Sequence, residues 1–151
     1  MRTEKIIGLL FIVGAIAVFV PYTILSVIFD YPGILREDAG TILTRFWEGG
    51  ARLVWVWWAF AILGLPLLAA YVLLGQRLEG KVSYVRWATT LGVISGIAQI
   101  IGLLRWVFVV PVLANTYVAS ADSATREASK VVFLAIHQFG GVLLGEHIGQ
   151  L

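Results

Sequence analysis

Within long stretches of apolar sequence, six polar side chains stand out as groups that could do chemistry: Gln99, Arg105, His137, Gln138, Glu146 and His147. An ionisable group inside a membrane is expensive unless it is paired or wetted, so each such group is a candidate for a ligand or proton site. Arg105 and Glu146 are opposite in charge. Taking the third apolar tract as a helix to about Val118, Arg105 lies 13 residues, roughly 20 Å, from the loop that follows. Glu146 lies 16 residues, roughly 24 Å, beyond Lys130 on the other side of that loop. An antiparallel hairpin therefore brings the two charges to similar depth, within reach of a charge-assisted bond. The alternative is that Pro111 ends the helix and Arg105 snorkels to the interface.

His137 and His147 are the chain's 2 histidines, and their spacing excludes them as paired ligands on one α-helix. Ten residues turn the helix through about 1000° and move roughly 15 Å along its axis. Two axial haem ligands would need two chains. A packed, hydrogen-bonded histidine is the default, with a proton relay through Glu146 and His147 as the functional alternative. Asp30, Glu37, Asp38 and Glu48 define no acid–base pair and read as a solvated face. No catalytic triad, Gly-rich phosphate loop or zinc motif is present, and with 0 cysteines thiolate chemistry is excluded. The sequence therefore assigns no catalytic residue, metal or cofactor and leans away from an enzyme.

Glycines supply a second pattern. Gly141, Gly145 and Gly149 recur at every fourth position, and Gly92 and Gly96 do the same in the preceding tract, beside Ser95. Close backbone approach through small residues drives helix association in lipid. The partner of the 141/145/149 face is either the third span or a second copy of the chain.

The elements that must position these groups follow from composition. Of 151 residues, 60% are hydrophobic and only 13% charged, against about 25% charged in an ordinary soluble domain. Ile6–Phe29 and Leu53–Gly75 carry no Asp, Glu, Lys or Arg, and each can cross about 30 Å of hydrocarbon. Soluble enzymes, disordered chains and nucleic-acid-binding domains are excluded. Met1–Lys5 before an apolar run resembles a secretory signal, but the run continues to Phe29, which favours an uncleaved span.

The pattern predicts an all-α bundle of four transmembrane helices in one integral membrane domain, residues 1–151. Spans are expected at about 6–29, 53–75, 87–113 and 131–151, with Pro21 kinking the first. Between the first two, Leu35, Ala39, Ile42, Leu43, Phe46 and Trp47 recur at helical spacing, predicting a short interfacial amphipathic helix over 34–50 that Gly49-Gly50 breaks. Trp55, Trp57 and Trp58 read as an interfacial belt, or else as an aromatic binding platform. Gln76–Arg86 reads as a polar connection and Ser120–Ser129 as a loop. The third tract, Trp87–Val118, is longer than a bilayer needs, so it either projects from the membrane or bends at Pro111. Basic residues divide five against five between the two sides, with the free amine leaning towards an inward amino terminus.

Several stretches resemble a bacterial membrane-protein family catalogued as domain of unknown function 4386. They are Asp30-Tyr31-Pro32-Gly33-Ile34-Leu35-Arg36-Glu37, Arg45-Phe46, Gly49-Gly50, Leu53 to Trp58, Gly102 to Pro111, His137 to Val142, and Gly145-Glu146-His147-Ile148-Gly149. The resemblance covers nearly the whole chain from the first span onward. It implies a multi-pass protein of the plasma membrane with Arg105, His137, Glu146 and His147 as shared polar groups, and carries no established activity. Family members typically continue into one or two further apolar spans, so a chain ending at Leu151 is expected to be truncated or a short member.

Two function classes are carried forward: a structural or accessory subunit that packs or oligomerises through its glycines, and a transporter-like or ligand-binding protein with a polar site at Arg105 and Glu146. Membrane lipids and either a homo-oligomer or another membrane protein are the expected partners, and nucleic acid is not.

Overall fold

The computed structural model describes residues 2–150, with side chains from residue 3. It is all-helical, with no strand among the described residues. Leu151, the last residue of the fourth expected span, lies outside them. Four helices or helix pairs are long and apolar enough to cross a membrane: Thr3–Ile28, Ala39–Leu78, Val85–Ala119 and Ser123–Gln150.

The first is one helix, α1 (Arg2–Ile28), which continues through buried Pro21. After it the chain turns at Asp30, which has φ 55°, and makes one 3-10 turn over Gly33–Arg36. The short helix expected over 34–50 is thus divided. Its first residues form that turn, and α2 (Ala39–Ile62) begins only where the Asp38 carboxylate accepts from the Gly40 and Thr41 N–H groups at 2.9 and 3.2 Å. The expected glycine break does fall at Gly50, where φ 55° and ψ −151° leave helical geometry, but the chain resumes the helix to Ile62. Ala39, Ile42, Leu43 and Phe46 of the amphipathic pattern are buried in the core, while Trp47 is exposed.

The second expected span is not continuous. It breaks at Leu63-Gly64, after which α3 (Leu65–Leu78) starts with Pro66 in its first turn, where a missing N–H costs no hydrogen bond. Next come α4 (Val85–Phe108) and α5 (Val110–Ala119), joined with almost no interruption because Pro111 likewise sits in the first turn of α5. The expected loop over Ser120–Ser129 is overturned. Only Ser120–Asp122 is non-helical, and α6 (Ser123–Ile136) begins at once because Asp122 accepts from the N–H groups of Ala124 and Thr125 and from the Thr125 hydroxyl. The tract after it, His137–His147, is π-helical, followed by a 3-10 turn over Ile148–Gln150.

In packing, α1 lies against α2 and α3, α4 lies against α2, α3 and the π-helical tract, and α5 lies between α2 and α6. The core is aromatic. Trp57 and Trp106 are both fully buried and stack at 4.7 Å with ring planes 9° apart. Phe29, Phe46 and Phe133 close around Trp106 at 5.6–6.1 Å. Trp57 is therefore a core residue and not part of a belt, whereas Trp55 and Trp58 are exposed and meet edge to face. The three tryptophans sit on one helix, but only position 57 faces α4.

Candidate functional site

Arg105 is held against the π-helical tract by glycines. Its side chain crosses the π-helical tract at Gly140 and Gly141. A Cβ built on Gly141 would lie 2.7 Å from Arg105 Nη2, and one on Gly140 would lie 3.1 Å from Arg105 Cδ. Nη1 donates to the Gly102 carbonyl one turn back, and the guanidinium lies 5.2 Å from the Trp106 ring centroid, a cation–π distance. Gly102 in turn allows the two helices to touch, since a Cβ there would sit 2.5 Å from the Gly140 carbonyl oxygen. π-Helical geometry is rare, and its usual form, a single-turn bulge in an α-helix, is frequent at functional sites. The run here coincides with the tract that carries the expected polar groups.

The guanidinium, Tyr31, Gln99, Trp106, Glu146 and Gln150 line a cavity of about 110 Å³. A single water needs roughly 10–15 Å³ by this measure, so a carboxylate- or phosphate-sized group fits. Arg105 and Glu146 thus share a cavity, but they form no ion pair within 4 Å. The ion pairs among the described residues are Glu4–Arg77, Glu79–Arg86 and Glu127–Lys130, all with at least one well-exposed partner. Tyr31 reaches the cavity because the chain after α1 folds back into the bundle. Burial pushes its phenol above the ordinary value, and the Arg105 charge opposes that shift.

Four buried side-chain nitrogens around this site have no hydrogen-bond partner: Arg105 Nε, Trp57 Nε1, Trp106 Nε1 and His137 Nδ1. Three of them can only donate. A buried donor left unmade costs about 1–3 kcal/mol, and more when the group is charged. The chemistry these atoms lack is that of an acceptor.

A family model described as domain of unknown function (DUF4386) matches residues 6–151. The chain belongs to that family. No curated protein and no solved structure matches it.

The other expected positions in this DUF4386 member are distributed as follows. Gln99 lines the cavity and donates to the Gly149 carbonyl at 3.3 Å, beside a shorter bond from Ser95 at 2.8 Å. His137 is packed against Phe133 at 5.6 Å and edge-on to Trp106 at 6.4 Å. His147 is exposed and bonds the Val142 carbonyl at 2.9 Å, and Gln138 is exposed and lines no part of the cavity. The glycines divide between two neighbours. Gly141, Gly145 and Gly149 face Arg105, Gly102 and Gln99 of α4, whereas Gly92 and Gly96 face Tyr71 and Leu68 of α3. Sequence reasoning missed Tyr31, Trp57, Trp106 and Gly102. Gly102 carried a usable signal, lying three residues before Arg105 on the same helix face.

Proposed function

We propose that this protein is a ligand-binding membrane protein whose recognition site is the Arg105 cavity, and that its ligand presents an anionic acceptor to the guanidinium. The observation that carries this reading is that Arg105 lines the cavity with no ion-pair partner, while its Nε and two indole N–H groups of the adjoining aromatic cluster are buried without a partner. A largely buried cation is stabilised by an anion. Glu146, which also lines the cavity, makes the site selective. A ligand with a single anionic group and a hydroxyl or amide is accommodated, while a crowded polyanion meets a like charge.

The accessory or oligomerising role is expected to act through the glycines, which meet neighbours within this chain, and that leaves for it the outward face of α1, where Leu9, Ile12, Ile16, Phe19 and Val27 are exposed. Lipid contact accounts for that face equally well, so the cavity is the more specific feature. Residence in a cell membrane as a multi-pass protein belongs to the same proposal. It is supported by the four apolar helical segments.

The test is a titration of the purified protein with acetate, followed by tryptophan fluorescence, because Trp106 lines the cavity and stacks on Trp57. A saturable change that Arg105→Gln removes supports the reading. An equal response in both proteins, or none in either, overturns it.

A further inference from the structure

A second and larger space adjoins the Arg105 cavity. It is a groove of about 530 Å³ between α1, α3 and α4, within the roughly 300–1,000 Å³ range of small-molecule sites. Its walls include Phe11, Val18, Phe60, Leu67 and Ile100, with Tyr71, Ser95 and Gln99 as its polar side chains. Gln99 and Leu103 line both spaces, so the apolar groove and the Arg105 cavity adjoin at these two side chains.

The level of this junction in the bundle decides what kind of molecule would use it. On α4, exposed Arg86 and Arg105 are 19 residues apart, about 29 Å of helix against about 30 Å of hydrocarbon. Beside Arg105, α2 carries exposed Arg45 and Glu48 next to Phe46, which stacks on Trp106 at 5.7 Å, and exposed Arg52 just beyond Gly50. Exposed Trp55 and Trp58 follow three and six residues after Arg52, within two turns. Charged side chains followed by exposed tryptophans mark a headgroup boundary. That boundary therefore crosses the bundle near Arg105, with the groove running from it into the hydrocarbon towards Gly92.

We propose that the site takes a single-chain anionic amphiphile, with its carboxylate or phosphate in the Arg105 cavity and its chain in the α1–α3–α4 groove. This inference rests on the reading of the Arg105 cavity as a ligand site. It adds the class of ligand. Charge complementarity selects the headgroup, the apolar walls select the chain, and the position of the junction matches the depth of a lipid headgroup. Because the chain leaves one apolar medium for another, selectivity comes from shape and from the headgroup rather than from hydrophobic transfer.

The experiment places the protein in phosphatidylcholine nanodiscs containing oleate and measures the bound adduct by native mass spectrometry, with the acetate titration run in parallel. Val18→Trp and Ile100→Trp fill the groove from opposite walls and leave the Arg105 cavity lining unchanged. The expected result is one oleate per chain, reduced at least tenfold by Arg105→Gln and by either groove variant. The acetate response should survive in the groove variants, which also shows that they fold. Lysophosphatidate in place of oleate reports whether a phosphate headgroup is accepted, and stoichiometric retention of either probe supports the inference. Oleate retained equally in both groove variants overturns the chain placement while leaving the anion site standing. Acetate and oleate responses that are both indifferent to Arg105 overturn the anion site itself.

Discussion

Replacing Gly102 with alanine tests the contact on which the site is built. The new Cβ would lie 2.5 Å from the Gly140 carbonyl oxygen and 3.3 Å from both N and Cα of Gly145. All three are backbone atoms, so no rotamer change relieves the clash and the π-helical tract must move away from α4. Overpacking of this kind costs about 1–3 kcal/mol, whereas glycine to alanine inside a helix regains roughly 0.5–1 kcal/mol. The difference spans roughly 0–2.5 kcal/mol, and because all three contacted atoms are backbone the expectation lies in its upper part, a loss of about 1–2 kcal/mol or a factor of about 5–30 in the folded-to-unfolded ratio. The control is Gly8→Ala in α1, where a Cβ meets nothing within 4 Å and the helix propensity gain stands alone. Detergent-solubilised protein titrated with sodium dodecyl sulfate, followed by circular dichroism, compares the two midpoints. Gly102→Ala should unfold earlier than wild type and Gly8→Ala no earlier. If Gly102→Ala matches or exceeds Gly8→Ala, the close approach of α4 to the π-helical tract is refuted.

Three other perturbations separate core from surface. Trp57→Ala removes a fully buried ring and should cost about 3–5 kcal/mol in the same unfolding assay, while Trp55→Ala, at a site 66% exposed, should shift the midpoint little. Gly50→Ala places a Cβ at φ 55°, ψ −151°, a region essentially restricted to glycine, and should cost about 1–3 kcal/mol although nothing lies within 4 Å of it. Hydrogen bonds from the Thr125 hydroxyl and from the Thr125 and Ala124 N–H groups hold the Asp122 carboxyl below its usual value of 3.8. Its folded pKa is depressed, so its contribution is complete above that value and is lost as pH falls below it through the folded pKa. Amide protection at the start of α6, taken relative to the intrinsic exchange rate at each pH, should therefore fall below about pH 3.8 in wild type. In Asp122→Asn that pH dependence should disappear.

Much of the fold was legible because apolar length and helical spacing are strong signals in a chain of this composition. The buried positions Ala39, Ile42, Leu43 and Phe46 follow directly from the spacing in that segment. What was missed depended on capping and on tertiary contact. Asp122 begins a helix inside a stretch whose small polar residues read as loop, because one side chain captures two backbone N–H groups and a hydroxyl. Gly64-Leu65-Pro66 divides the second span, but within an unbroken apolar run the proline signal was overshadowed by hydropathy. Trp57 cannot be told from Trp55 and Trp58 by composition, since only the face presented to α4 distinguishes them.

The site was half legible. Depth arithmetic on two antiparallel helices places Arg105 and Glu146 together, and both line one cavity. It assumes an α-helical rise throughout, whereas His137–His147 is π-helical, so side-chain directions along that tract do not follow the expected register. The guanidinium bonds Gly102 and lies across Gly140 and Gly141 rather than pairing with Glu146. Tyr31 was out of reach of sequence reasoning because its approach depends on the chain folding back after α1.

The anion site is tested most directly by the ¹⁵N resonance of Arg105 Nε in the lipid-embedded protein, assigned by its loss in Arg105→Gln, as acetate is added. An anion bound to the guanidinium that lines the cavity predicts a saturable shift of that resonance and slowed proton exchange. A resonance that keeps its position and exchange rate at saturating acetate would contradict the account.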